Sequence, residues 1–121
     1  MSGRVYWYGV GRVSAENLPA YRALIAEVTA VIAEEEPGTL FYDVQLMADG
    51  CTVELHEHYR DSDAAMAHLM GFGPRFGARY GALVEVVSIT VYGDCSPALR
   101  QITDAMGATY AAEPLGTVDR V

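Results

Sequence analysis

The chain holds three histidines. Two form His56-x-His58, and the third, His68, follows Tyr59 by nine residues. Residues two apart on a strand point to one face, so His56 and His58 share a face with Glu54. Glu57 and Tyr59 then share the other face with Val53 and Leu55. An imidazole titrates near neutrality, so the histidine pair suits either proton transfer or metal ligation. A metal would need a third protein ligand, for which His68 is the obvious donor. The plainer alternative is a polar stripe at a strand edge or dimer interface. Tyr59 offers a phenol that can donate a hydrogen bond or stack on an aromatic ring; the competing reading is a core tyrosine with a wet hydroxyl. His68 lies four residues after Ala64 and four before Phe72, along one stripe of a helix. There it could act as a base facing a pocket or tie its helix to the preceding chain.

Trp7, Tyr6, Tyr8, Tyr42, Phe72, Phe76 and Tyr80 could wall an aromatic-binding cavity, or could serve core packing and an interface. Gly71-x-Gly73 with Gly77 lacks the preceding strand and basic residue that a phosphate loop requires. Arg75 and Arg79 flank Phe76 and could draw an anion to a pocket mouth or simply be solvated. Glu34-Glu35-Glu36 reads as the solvated last turn of a helix. A net charge of −8 repels phosphate backbones and anionic membrane faces, which argues against nucleic acid or a membrane surface as partner. No apolar run approaches the roughly 20 residues that cross a bilayer. The first residues show no apolar signal core, so the expected location is the cytoplasm. Cys51 and Cys95 have neither CxxC nor zinc-type spacing and are expected as free thiols.

The elements that must position these residues are legible in order. Arg4 to Val13 is rich in β-branched and aromatic residues and predicts a strand, with Tyr6, Tyr8 and Val10 on one face and Val5, Trp7 and Gly9 on the other. Asn17 or Ser14 can cap a helix carrying Leu18, Tyr21, Leu24, Ile25, Val28, Val31 and Ile32 as one apolar stripe; Pro37-Gly38 stops it. Thr39 to Met47 and Thr52 to Tyr59 predict two strands joined through Asp49-Gly50. Asp61 caps a helix through Met70, with Gly71, Gly73 and Pro74 breaking it and Arg75 to Tyr80 adding a turn or two. Leu83 to Tyr92 predicts a fourth strand. Ser96-Pro97 opens a short helix over Ala98 to Met106.

This is the order β-α-β-β-α-β, an α+β ferredoxin-like arrangement with an antiparallel sheet and both long helices on one face. The sequence predicts one domain over residues 1–121, of which about 94–121 form a C-terminal extension. Large side chains occupy the other sheet face too. A sheet with two apolar faces and one helix layer predicts a homodimer, sheet to sheet, about a two-fold axis.

The string Glu36-Pro37-Gly38-Thr39-Leu40, then Tyr42-Asp43, the hairpin, and His56-Glu57-x-Tyr59-x-Asp61-Ser62 through Ala67-His68-Leu69 resembles the antibiotic biosynthesis monooxygenase (ABM) family of dimeric α+β barrels. The resemblance covers nearly the whole chain. It implies a pocket in each subunit between sheet and helices, and oxidation of a small phenolic, quinol or polyketide-type aromatic by oxygen, with no metal and no cofactor. It implies Tyr59 and His68 as catalytic residues that orient and deprotonate the substrate. Trp7, Tyr42, His56, His58, Phe72 and Phe76 are the expected substrate-binding residues. Tyr59 stands where the family often carries tryptophan. No asparagine lies in Val5 to Val13, which argues against haem cleavage. Val53-Glu54-Leu55 offers none either, so the oxyanion donor of some quinol-forming members is missing. The same fold leaves open a non-catalytic aromatic-binding or stress-related dimer, and the histidine pattern, apart from the resemblance, leaves open a metal-dependent enzyme centred on His56, His58 and His68.

Overall fold

Alternation on the first strand dictates the architecture. In the computed structural model, which describes residues 3–120, strand β1 (Val5–Arg12) buries Val5, Trp7, Gly11 and then Val13 on one face. Helix α1 (Leu18–Glu35) follows, buried through Tyr21, Leu24, Val28 and Ile32. Asn17 takes the cap position, while the Ser14 hydroxyl accepts a hydrogen bond from the Asn17 N–H at 3.1 Å. Strands β2 (Thr39–Leu46) and β3 (Thr52–Tyr59) form the expected hairpin. Its turn is held by the Asp49 carboxylate, which accepts from the Cys51 and Thr52 N–H groups, and by Gly50 at φ +76°.

Helix α2 (Ser62–Phe72) begins at Asp61, whose side chain accepts from the Ala64 N–H at 2.8 Å. The expected break at Gly73-Pro74 is a π-helical turn, Gly73–Gly77, that runs on into helix α3 (Ala78–Leu83). Proline at the start of that wider turn gives up a donor that the turn does not use. Strand β4 (Glu85–Gly93), helix α4 (Pro97–Ala105) and a two-residue strand β5 (Thr109–Tyr110) complete the chain. The sheet order is β2-β3-β1-β4-β5, antiparallel except for β5, which runs parallel to β4. This is the expected α+β ferredoxin-like sheet with one added strand.

Helix α4 anchors the extension, whose residues 111–120 are exposed and without regular structure. Leu99 of α4 is fully buried among Trp7, Tyr59, Ile89 and Val91, a placement that contributes about 1.5–3 kcal/mol. The Ser62 hydroxyl donates to the Asp94 carbonyl and accepts from the Ser96 N–H, fastening α4 to the start of α2.

The opposite face carries a ladder of rings across four strands. Phe41, His58, Tyr6 and Tyr92 are register neighbours. Tyr6 stacks on His58 at 4.7 Å and on Tyr92 at 5.1 Å, each within 7° of parallel, and Phe41 meets His58 edge-on. Tyr8 packs against His56. Both Phe41 and Tyr8 remain exposed, and the described helices pack on the other face. No helix among the described residues is long and apolar enough to cross a membrane. Cys51 and Cys95 are free thiols.

Candidate functional site

Three clusters of buried side chains lie beneath the helices, and a cavity of about 300 Å³ opens where they meet. Its origin is local. After Trp7, the next helix-facing position of β1 is Gly9, which puts no side chain above the sheet and lines the cavity; Gly11 borders it too but is packed close against Val84. Trp7, Leu55 and Ile89 rise from the sheet beside them. Tyr42 comes from β2, His68, Leu69 and Phe72 from α2, and Tyr80 from α3. The π-helical turn sets Phe72 and Tyr80 edge to face at 5.6 Å. Val86 and Met106, both exposed, stand at the mouth.

Into this apolar space project Glu57 of β3 and His68 of α2. The Glu57 carboxylate accepts a hydrogen bond from the Tyr59 hydroxyl at 2.5 Å. Burial pushes its pKa above the usual carboxylate range, with His68, the Tyr59 hydroxyl and the Trp7 indole opposing. His68 is only 3% exposed. Its Nδ1 lies 2.8 Å from Glu36 Oε1 and its Nε2 3.6 Å from Glu57 Oε1. The first is a hydrogen bond; the second is close electrostatic contact beyond good hydrogen-bond length. Glu36 is held in turn by the Thr39 hydroxyl, which donates to Oε1 at 2.9 Å. With Nδ1 held by Glu36, His68 turns its Nε2 toward Glu57 and the cavity, a histidine oriented by a carboxylate. Tyr42, Tyr59 and Phe72 cage its ring at 5.4 to 5.8 Å. Burial first, and the Glu57 charge next, raise Tyr42 and Tyr59 well above the phenol range; burial and then Tyr21 raise Tyr80. All three stay protonated at neutral pH and so keep an O–H to donate.

The structure brings Trp7, Tyr42, His68 and Phe72 together around one space. Tyr59 sits behind that wall, fully buried, touching Trp7 and His68 and reaching the cavity through Glu57. Phe76 packs with Leu24, Val28 and Ile32 and lines a separate cleft. His56 and His58 are on the far face of the sheet, because β3 alternates and Glu57 takes the inward position between them. They cannot share an ion with His68 within one chain, and no group of three or more metal-ligating side chains occurs among the described residues. Arg75 and Arg79 are ion-paired to Glu35 and Glu27 of α1.

Glu57, Met106 and Glu36 were not anticipated as site residues, whereas Tyr80, one of the rings expected to wall a cavity, does line it. For Glu57 a signal existed: a carboxylate in the inward phase Val53, Leu55, Glu57, Tyr59. Glu36 departs from the solvated turn that the glutamate run suggests. Glu34 and Glu35 are exposed, while Glu36, one residue past α1, turns inward to His68.

Comparison with known proteins gives the frame. No curated protein matches the sequence. Among solved structures, MupZ from Pseudomonas fluorescens superposes with a TM-score of 0.84 at 18% identity, covering 97% of this chain and 95% of that one, a likeness that takes in the C-terminal extension. Rv0793 from Mycobacterium tuberculosis is 26% identical with a TM-score of 0.66, covering 78% of this chain and 98% of that one. A mutant of SnoaB, a cofactor-independent oxygenase from Streptomyces nogalater, has a TM-score of 0.65 at 17% identity, covering 78% of this chain and 95% of that one. The family model described as antibiotic biosynthesis monooxygenase matches residues 10–71, just over half of the sequence, and the chain belongs to the ABM family.

Proposed function

We propose that the chain binds a small phenolic or quinol-type aromatic in this cavity and oxidises it with molecular oxygen, needing neither metal nor flavin. The observation that carries this reading is the pairing of a hollow apolar space with one buried proton-accepting group, His68, backed by Glu36. Trp7, Tyr42 and Phe72 form walls for an aromatic ring, and the Tyr42 and Tyr80 hydroxyls supply hydrogen-bond donors. A phenol with a hydrogen para to its hydroxyl gives that hydroxyl proton to His68. The phenolate passes one electron to oxygen, and the resulting superoxide and phenoxyl radical combine at the para carbon. Loss of water from the peroxide leaves a quinone: one oxygen atom ends in the product, the other in water. Preset donors, strengthened where water is excluded, offset the cost that burial places on the phenolate. Tyr59 acts one step back, by positioning Glu57. Kinship with SnoaB in fold agrees with this reading but does not carry it.

The exposed ring ladder supports a homodimer in which a second copy covers Tyr6, Tyr8, Phe41, His58 and Tyr92. His56 and His58 serve that face rather than the substrate.

Oxygen consumption with a panel of dihydroxy-aromatics tests the proposal. Uptake above the buffer rate with at least one compound, lost in His68→Ala, is expected; buffer-rate uptake with every compound refutes oxygenation. One observation favours a second reading. Glu57 held toward its protonated form beside an oriented histidine is an acid and a base side by side, suited to shifting a proton within a bound ligand. Turnover without oxygen distinguishes it.

A further inference from the structure

The imidazole of His68 is a partition between two hollows. Besides the cavity, His68 and Phe72 also line a cleft of about 170 Å³ between α1 and α2. Glu57 borders only the cavity and Glu36 only the cleft. The Glu36 side chain keeps 18% of its surface exposed, against 4% for that of His68. At the cavity mouth, Val86, Ser88 and Met106 offer no titratable group. Among the described residues, a path of acid and base side chains leads outward from the cavity through Glu57, His68 and Glu36 to the cleft.

We propose that Glu36 and the α1–α2 cleft form the proton port of the cavity: a proton taken up by His68 on the cavity side leaves through Glu36 on the cleft side. This rests on the reading that a phenol is deprotonated at His68. The proton joins Nε2 while the Nδ1 proton passes along the 2.8 Å hydrogen bond to Glu36 Oε1, and the resulting carboxylic acid releases it to water in the cleft. Substrate hydroxyl plus cleft water thus become phenolate plus hydronium, with no change of oxidation state. His68 finishes as the opposite tautomer. Return of a proton by the same route, when the peroxide breaks down to water, restores it. Glu36 is a positioning and relay residue; it touches no substrate.

The test uses 4-nitrophenol, whose phenolate absorbs visibly, in weakly buffered solution with a spectrally distinct pH indicator. On rapid mixing with the full chain, phenolate should appear with matching proton release to bulk. Glu36→Gln keeps an oxygen that can accept from Nδ1 but cannot take the proton. It should slow release at least about tenfold while leaving affinity for the probe within about twofold. Glu36→Asp should recover part of the rate. Glu34→Gln removes the same charge from an exposed site and should release at the wild-type rate. Wild-type release kinetics in Glu36→Gln would overturn the port, as would binding of the phenol without its ionisation. Glu36-dependent release with no oxygen consumed from any phenol would leave the port standing and refute the oxygenase reading. Normal oxygen consumption by Glu36→Gln would do the reverse.

Discussion

Replacing Glu57 by glutamine separates a buried, proton-holding carboxyl from an ordinary ion-paired one. Burial is the largest influence on Glu57 and moves its pKa above the usual value of 4.5. The unfolded chain ionises normally. Between pH 4.5 and the raised folded value, the native state therefore holds a proton that the unfolded state has lost. Native stability falls as pH rises across that window, with a slope of at most about 1.4 kcal/mol per pH unit. Below the window the two states bind the proton alike and the penalty vanishes; above it, the penalty is constant. Glutamine has the same shape, can still accept from the Tyr59 hydroxyl, and has no proton to lose. Relative to wild type, the variant should gain stability steadily as pH rises through the window and then level off. A gain of about 1.4 kcal/mol would raise the melting temperature by roughly 3–6 °C for a domain of this size. Trp7 is the single tryptophan and is buried in the core, so its fluorescence reports urea unfolding directly. Measured from about pH 4 to about pH 8, a difference that is flat, or that favours wild type increasingly as pH rises, would refute the assignment.

Three further outcomes follow from the same geometry. Tyr59→Phe removes the donor to Glu57 and should cost about 1–3 kcal/mol, with the falling limb of the pH–stability curve reaching to higher pH than in wild type. A methyl group at Gly38 would stand 2.6 Å from the Ala64 Cβ. Gly38→Ala should push β2 off α2 and destabilise by about 1–3 kcal/mol, with loss of the Glu36–His68 hydrogen bond visible in the imidazole N–H resonances. Phe41→Glu on the exposed ladder should give a monomer by light scattering, with an unfolding midpoint that no longer rises with protein concentration; a wild-type protein that is already monomeric would contradict the dimer.

How much of this was legible depends on the range of the cause. Strand β3 spans the predicted Thr52–Tyr59, because a half-buried strand writes its pattern residue by residue in a period of two. Asp61, Pro37-Gly38 and Ser96-Pro97 placed helix ends through short-range capping and backbone chemistry. The cavity depends on what is missing. Gly9 looks like a weak point in a strand until the helices above it fail to fill the space. His56 and His58 could not be assigned a side from alternation alone, since both faces carry large side chains; only the burial of Glu57 decides it. Glu36 carries no local signal, because its partner, His68, is 32 residues away and pairs with it only when α2 lies against the end of α1. Met106 reaches the cavity because Leu99 anchors α4 in a core assembled from β1, β3 and β4, which no local pattern encodes.

The central claim is that the space bounded by Trp7, Tyr42, His68 and Phe72 receives an aromatic ligand. Titrating the purified protein with 4-nitrophenol while following Trp7 fluorescence tests it most directly. Saturable quenching in wild type, abolished by Ile89→Phe, which fills the space without touching Glu57 or His68 chemistry, is the predicted result. Linear, unsaturable quenching that is identical in both proteins would contradict it.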